Sequence, residues 1–292
     1  MYERILVPLD GSELAEGALP YAEGIATRLH SEVILLTACT PSDCLERPLR
    51  AYLEKRAGEL SSLGIKASPL VVQGNAANEI LEFAERNDIN LIIISTHGRT
   101  GLSIWPLGSI ANKILQKSHI PLLLIRSSDL ETVLREKGLR KILVPLDGSQ
   151  FAEGVIPYVE GLAKGMDSEV ILITANEPLQ VPDIVRHTAG FDGEKYEELT
   201  VRMEKQAKRY LSKKESALRD KGVNVSSTSL WGQPTQTILQ YAEDNSVSLI
   251  VLSTHGFSGI TKWAYGSIAA KIIERASRPV LMIRPALPAL NT

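Results

Sequence analysis

One octapeptide occurs twice in this chain, and that repetition constrains the fold more than any other feature. "ILVPLDGS" runs from Ile5 to Ser12 and again, unchanged, from Ile142 to Ser149. The two copies lie 137 positions apart (142 less 5), and the same offset carries "SEVILLTA" (Ser31–Ala38) onto "SEVILITA" (Ser168–Ala175). Beyond that point Gly64 matches Gly222, Gly74 matches Gly232 and Gly98 matches Gly256, each 158 apart. The second copy therefore carries a 21-residue insertion (158 less 137) after its second strand, within about Pro178 to Glu198. A repeat unit of this length is a whole domain and not a solenoid repeat. The expected organisation is a first domain over 1–127, a linker over 128–138 and a second domain over 139–292. In the second domain, the insertion leaves the sheet on the ligand side as a loop with a short helix, a lid or partner surface.

Within each copy, short apolar runs alternate with helical periodicity. Ile5–Leu9, Val33–Thr37, Ala67–Val72, Leu91–Ile94 and Leu122–Ile125 are nearly continuous in apolar residues, the signature of parallel strands covered on both faces. "SELAEGALPYAEGIATRL" reads as one helix with Ser12 as its N-cap, and Asn75–Asn87 as another with Ile80, Leu81 and Ala84 on one side. Five strands alternating with four helices predict an α/β fold: two tandem, doubly wound, five-stranded parallel-sheet domains of Rossmann-like type.

In such sheets ligands sit beyond the carboxyl ends of the strands, where the strand order reverses. Asp10 and Asp147 follow the first strand of each copy, two residues after Pro8 and Pro145; Ala38 and Ala175 close the second. The fourth strand runs into "STHGRTGLSIWPLGS" (Ser95–Ser109), repeated as "STHGFSGITKWAYGS" (Ser253–Ser267). Each loop ends where a helix begins, and a helix N-terminus favours an anion. Glycines at 98 and 108 let backbone approach phosphate without an intervening Cβ, so valine at 108 is expected to block binding and to strain any positive φ. Asp10 is then available for ribose or adenine, or for a metal beside the phosphates.

These residues resemble the universal stress protein family, over both halves almost end to end. Its nucleotide-binding members carry glycine, two residues, glycine, nine residues, then glycine and serine or threonine. Here the frame reads Ser95-Thr96-His97-Gly98, nine residues, Gly108-Ser109, and Ser253-Thr254-His255-Gly256, nine residues, Gly266-Ser267. Both copies thus place serine where the family has its first glycine. The resemblance implies an adenine-nucleotide alpha-hydrolase-like fold, with the halves joined as a pseudo-twofold pair through their last strands, "IPLLLIR" and "RPVLMIR", and a homodimer of the whole chain as a further option. It also implies a stress-response protein that binds ATP, alone or with Mg2+, as a ligand-gated regulator of a protein partner, with at most slow hydrolysis; the alternative is a scaffold of the same family without nucleotide. By the same resemblance Pro8, Asp10 and Ala38 border adenine and ribose, and Ser95, Gly98, Gly108, Ser109 and the N–H of Ile110 surround the phosphates. The second copy offers Pro145, Asp147, Ala175, Ser253, Gly256, Gly266, Ser267 and Ile268. Arg99 follows Gly98 with a charge suited to phosphate, where the second loop has Phe257.

Other classes find little support in the residues. A net charge of -2 and a pI near 6.3 give no electrostatic footprint for nucleic acid. No apolar run reaches the roughly 20 residues of a membrane span, and "MYERILVPLD" lacks a signal-peptide layout, so the expected location is the cytoplasm. The G-x-x-x-x-G-K-[ST] and G-x-G-x-x-G motifs are absent, and no nucleophile with a base stands out. His97 and His255 lack partners at metal-ligand spacing and read as loop-bracing residues. Cys39 and Cys44 have no counterparts in the second copy and read as incidental thiols, and "EKQAKRYLSKKES" reads as a solvated helix face.

Overall fold

The structure, a computed structural model, describes residues 1–40, 45–96, 107–126, 138–178, 193–254 and 266–285. The first half contributes strands β1 (Arg4–Pro8), β2 (Glu32–Cys39), β3 (Ala67–Gln73), β4 (Leu91–Ser95) and β5 (Leu122–Ile125). The second contributes β6 (Lys141–Pro145), β7 (Glu169–Asn176), β8 (Val225–Trp231), β9 (Leu249–Ser253) and β10 (Val280–Ile283). All ten form one sheet in the order β3-β2-β1-β4-β5-β10-β9-β6-β7-β8. Pairing is parallel within each half, and the β5–β10 junction alone is antiparallel.

The strands are apolar on both sides because both faces are covered. Ile5 and Val7 join α1 (Glu13–Glu16), α2 (Leu19–Leu29) and α3 (Glu46–Ser62) in one core cluster; Leu6, on the other face, meets α4 (Ala76–Arg86) and α5 (Ser109–Lys117). The second half repeats this with α6 (Gln150–Glu153), α7 (Ile156–Met166), α8 (Gly193–Arg219), α9 (Pro234–Asp244) and α10 (Ser267–Arg275). Each core cluster contains residues of both halves, so hydrophobic burial runs unbroken across the junction.

The halves meet through their last strands. Leu122, Leu123 and Leu124 pair with Met282, Leu281 and Val280, a register that exchange of the two copies maps onto itself about Leu123 and Leu281. The arginines that close these strands reach across. Arg126 donates to the carbonyls of Ile273 (3.2 Å) and Glu274 at the end of α10, and Arg284 donates to Gln116 O (2.9 Å) at the end of α5. Each half thus caps the negative end of the other's final helix. Tyr2 Oη also donates across the junction, to Tyr158 O at 3.0 Å.

Three sequence expectations are corrected. The helix expected from Ser12 to Leu29 breaks into α1 and α2: Gly17 ends the first, and Pro20, without an N–H, sits in the opening turn of the second. Only the end of the insertion lies among the described residues, and there a long helix stands in place of the short one expected. Residues 193–198 open α8, which has 27 residues against 17 in its counterpart α3, and residues 179–192 lie outside the description. Cys39, read as a thiol, is disulfide-bonded. It stands at the end of β2; Cys44, the only other cysteine, lies outside the described residues. Residues 127–137, nearly all of the expected linker, lie outside them too.

Three tyrosines limit the stability of the fold at alkaline pH. Burial raises the Tyr2 phenol above its ordinary pKa of about 10, aided by Tyr158; burial and the bond to Glu16 raise Tyr52; burial and the Glu153 charge raise Tyr210. Their stabilising contribution is complete below pH ~10 and is lost as pH climbs toward the raised folded values. Ultraviolet titration of tyrosinate should therefore show these three ionising only as the fold is lost. Reversible titration of all 8 tyrosines near pH ~10 in the intact protein would contradict this.

Candidate functional site

The strand order reverses between β1 and β4, and again between β6 and β9. The carboxyl ends of β1, β2 and β4 are neighbours there, through parallel pairing of β1 with both others. Pro8, Asp10, Ala38 and Ser95 stand at those ends, as do Pro145, Asp147, Ala175 and Ser253 in the second half. The topology therefore gathers the candidates on one edge of each half-sheet.

The turn after β1 is built from the sequence outward. Leu9 N–H continues the ladder to Leu36 O (2.8 Å), while Thr37 Oγ1 donates to Leu9 O (2.8 Å), so the last peptide is pinned on both sides. The chain then turns through Gly11 at φ +80°, a left-handed conformation that a side chain would strain. Asp10 Oδ1 accepts from the Ser12 N–H (3.0 Å) and hydroxyl (2.6 Å), and Ser12 Oγ in turn accepts from Ala15 N–H (3.2 Å). Ser12 is thus the N-cap, and Asp10 braces it from outside the helix. The second copy repeats the device: Thr174 Oγ1 to Leu146 O (2.9 Å), Gly148 at φ +82°, Ser149 N–H to Asp147 Oδ1 (2.9 Å) and Ala152 N–H to Ser149 Oγ (3.1 Å).

The loop after β4 is pinched shut at its base. Thr96 N–H donates to Ile125 O (2.7 Å), and Gly108 N–H returns to Thr96 O (2.6 Å). Thr254 with Ile283 (2.8 Å) and Gly266 with Thr254 (2.7 Å) repeat this closure. Gly108 and Gly266 are the N-caps of α5 and α10, and no side chain caps either helix. The first N–H groups of each helix have no intrahelical acceptor, and with Gly108 N–H committed to Thr96, those of Ser109, Ile110 and Ala111 are left at the start of α5. Gly108 has φ −59° and Gly266 φ −66°, values open to any residue, so the positive φ considered for position 108 is corrected. Ser95 is buried and paired with Ile125 as a regular strand residue, although it stands at the first glycine of the motif. Ile110 and Ile268 are exposed beside the helix starts. Gly98, Arg99 and Gly256, with His97, His255 and Phe257, lie outside the described residues.

A further contact was not anticipated from the sequence. Glu16, in the helix that Ser12 caps, accepts from Tyr52 Oη (2.9 Å) and from Arg56 through Nη2 (2.7 Å) and Nε (3.1 Å). Arg56 also reaches Glu59 (2.9 Å) and lies 5.9 Å from the centre of the Tyr52 ring. The same places in the second half hold Glu153, Tyr210 and Lys214, with Lys214 Nζ 2.6 Å from Glu153 and 5.7 Å from the Tyr210 ring. The available signal was that Glu16 and Glu153 keep the first offset whereas Tyr52 and Tyr210 keep the second. The buried Thr37 could have been found in the repeated "SEVILLTA". Among the described residues, no three His, Cys, Asp or Glu side chains gather as a metal set, and no helix is long and apolar enough to cross a membrane.

Comparison with known proteins follows the repeat. The model of the universal stress protein family matches residues 1–126 and again 138–284. Universal stress protein MJ0531 of Methanocaldococcus jannaschii is 30% identical over 141 residues, 43% of this chain and 83% of that protein. Universal stress protein Slr1230 of Synechocystis is 21% identical over 317 residues, 97% of this chain and 100% of that one. Among solved structures, a universal stress protein of Archaeoglobus fulgidus overlays with a TM-score of 0.71 at 19% identity, covering 97% of this chain and 96% of its own.

Proposed function

This chain belongs to the universal stress protein family through both its halves, and from that premise we propose that it binds ATP or another adenine nucleotide at its strand-end loops. In this reading it is a stress-response regulator whose contact with a protein partner depends on the ligand. One observation carries the proposal: each half sets a braced aspartate turn beside an uncapped helix N-terminus at its strand-order reversal. An uncapped helix start offers N–H donors and a positive dipole end to phosphate. Asp10 and Asp147 supply carboxylates for ribose hydroxyls or the adenine edge, and Pro8 and Ala38 supply small apolar walls. Ser109 and Ser267 open the two helices, with Ile110 and Ile268 as the following N–H donors. Mg2+, where it accompanies ATP, would neutralise phosphate charge; no residue of this chain is assigned to it.

A second reading, a scaffold without nucleotide, is favoured by the Gly108 N–H, which is satisfied by Thr96 before any ligand arrives. Mass spectrometry of small molecules released from the purified, denatured protein separates the two. Calorimetric titration with ATP then tests the phosphate contact. Ser109→Ala is expected to weaken binding by about 1–2 kcal/mol, the scale of one hydrogen bond to a charged group. A folded wild-type chain that takes up no ATP at millimolar concentration leaves the scaffold reading standing.

A further inference from the structure

The contact between Glu16 and helix α3 belongs to none of the groups assigned to the nucleotide. Glu16 ends α1, the single turn whose N-cap is Ser12 and whose N-cap is braced by Asp10. One helical turn therefore links Glu16 to the Asp10 carboxylate through Ser12. Tyr52 and Arg56 grip Glu16 from one face of α3, four residues apart and thus adjacent on that helix. Arg56 is itself held by Glu59. Each side chain of this set has its geometry fixed by at least one other.

The second half keeps the arrangement but weakens it. Lys214 replaces the guanidinium, and an ammonium cannot grip both carboxylate oxygens in the plane as a guanidinium fork does. Ala217 occupies the place of Glu59, so the brace behind the cation is missing. The Tyr210 hydroxyl is buried near Glu153 and Asp147 without a well-formed hydrogen bond among the described residues, whereas Tyr52 donates to Glu16 at 2.9 Å. The 21-residue insertion separates Tyr210 from Glu153 in sequence, yet the pair still meets.

Resting on the nucleotide reading above, we propose that Glu16, Tyr52 and Arg56 are positioning residues that hold the Asp10 turn ready for ligand, and that this fuller clamp makes the first half the tighter of two nucleotide sites. A preorganised turn does not have to be ordered at the moment of binding, and affinity rises by that difference.

The test is ATP titration of the full chain by calorimetry, with amide exchange over residues 12–18 measured on the same samples. Arg56→Met is expected to weaken the tighter site about tenfold and to speed exchange at Ala15 and Glu16, whose N–H groups bond to Ser12. Arg56→Lys, which copies the second half, should recover most of the exchange protection and part of the affinity. Arg50→Met serves as control: it removes an exposed ion pair with Glu46 on the same helix and should alter neither readout. Faster exchange in Arg56→Met with wild-type affinity would reduce the clamp to a purely structural role and overturn the inference. Unchanged exchange in that variant would overturn it equally. A wild-type chain that binds no ATP defeats the nucleotide reading and the inference with it; failure of the clamp alone is recognised by intact wild-type binding.

Discussion

Leu123→Asp is expected to unfold both halves of the chain together. Leu123 lies at the centre of the antiparallel junction, opposite Leu281, and is 1% exposed. An aspartate there has no partner for its charge, and leaving a buried charge uncompensated costs about 3–5 kcal/mol. Removing the leucine itself costs about 2–5 kcal/mol more, judged from buried leucine-to-alanine changes. The two together, about 5–10 kcal/mol, are of the size of a domain's whole stability, roughly 5–15 kcal/mol, so the folded state is expected to be lost or nearly lost at neutral pH. Leu281→Asp should act alike, because the register maps one residue onto the other. Leu63→Asp, at a position 55% exposed, should leave the midpoint nearly unchanged. Urea unfolding followed by circular dichroism provides the measurement. Since both core clusters span the junction, the wild type should unfold in one transition. Two separate transitions, or a Leu123→Asp chain with one half intact, would show that the junction is a tether and not a shared core.

Gly11→Val is the second large effect, and it is local. Gly11 has φ +80°, where a β-branched residue is a genuine outlier. Strain of this kind costs on the order of 1–3 kcal/mol, and the turn can escape it only by giving up the Asp10–Ser12 bonds. Losing the Ser12 cap as well removes about 0.5–2 kcal/mol from α1. On the nucleotide reading, the tighter ATP site is expected to disappear from the calorimetric titration while the second half, built on Gly148, keeps its own. Gly108→Ala makes the contrast: at φ −59° an alanine is unstrained, so any effect on binding must come from bulk near the ligand. Wild-type ATP affinity in Gly11→Val would separate the Asp10 turn from nucleotide binding altogether.

Much of the architecture was legible in the sequence because it depends on local or repeated signals. The tandem duplication is visible in identical octapeptides. The strands are visible as apolar runs, because a parallel strand covered on both faces has no polar side to interrupt it. Ser12 was recognisable as an N-cap because capping is decided by one hydroxyl within reach of the next turn. The break between α1 and α2 was equally local, signalled by Gly17 and Pro20, but the helical spacing of Leu14, Ala18, Tyr21 and Ile25 masked it. The long α8 was harder to see, since its opening turns carry glutamates and lysines on an exposed surface that no packing pattern marks.

What only the tertiary structure decided is where distant groups meet. Sequence alone determined two doubly wound halves with their candidate residues at strand ends. It did not determine that Arg126 and Arg284 each cap the other half's last helix, because those bonds span more than 140 residues and leave no periodic trace. Nor did it determine the grip of Tyr52 and Arg56 on Glu16, a contact between two helices brought together by the packing of α1 and α3 against one face of the sheet. Gly108 shows the same division. Its position before a helix was readable, but the acceptor of its N–H was not, because Thr96 O reaches it only after β4 and α5 have been set side by side. A backbone donor satisfies whatever acceptor the fold presents, and that choice is made by the packed chain, not by the residue.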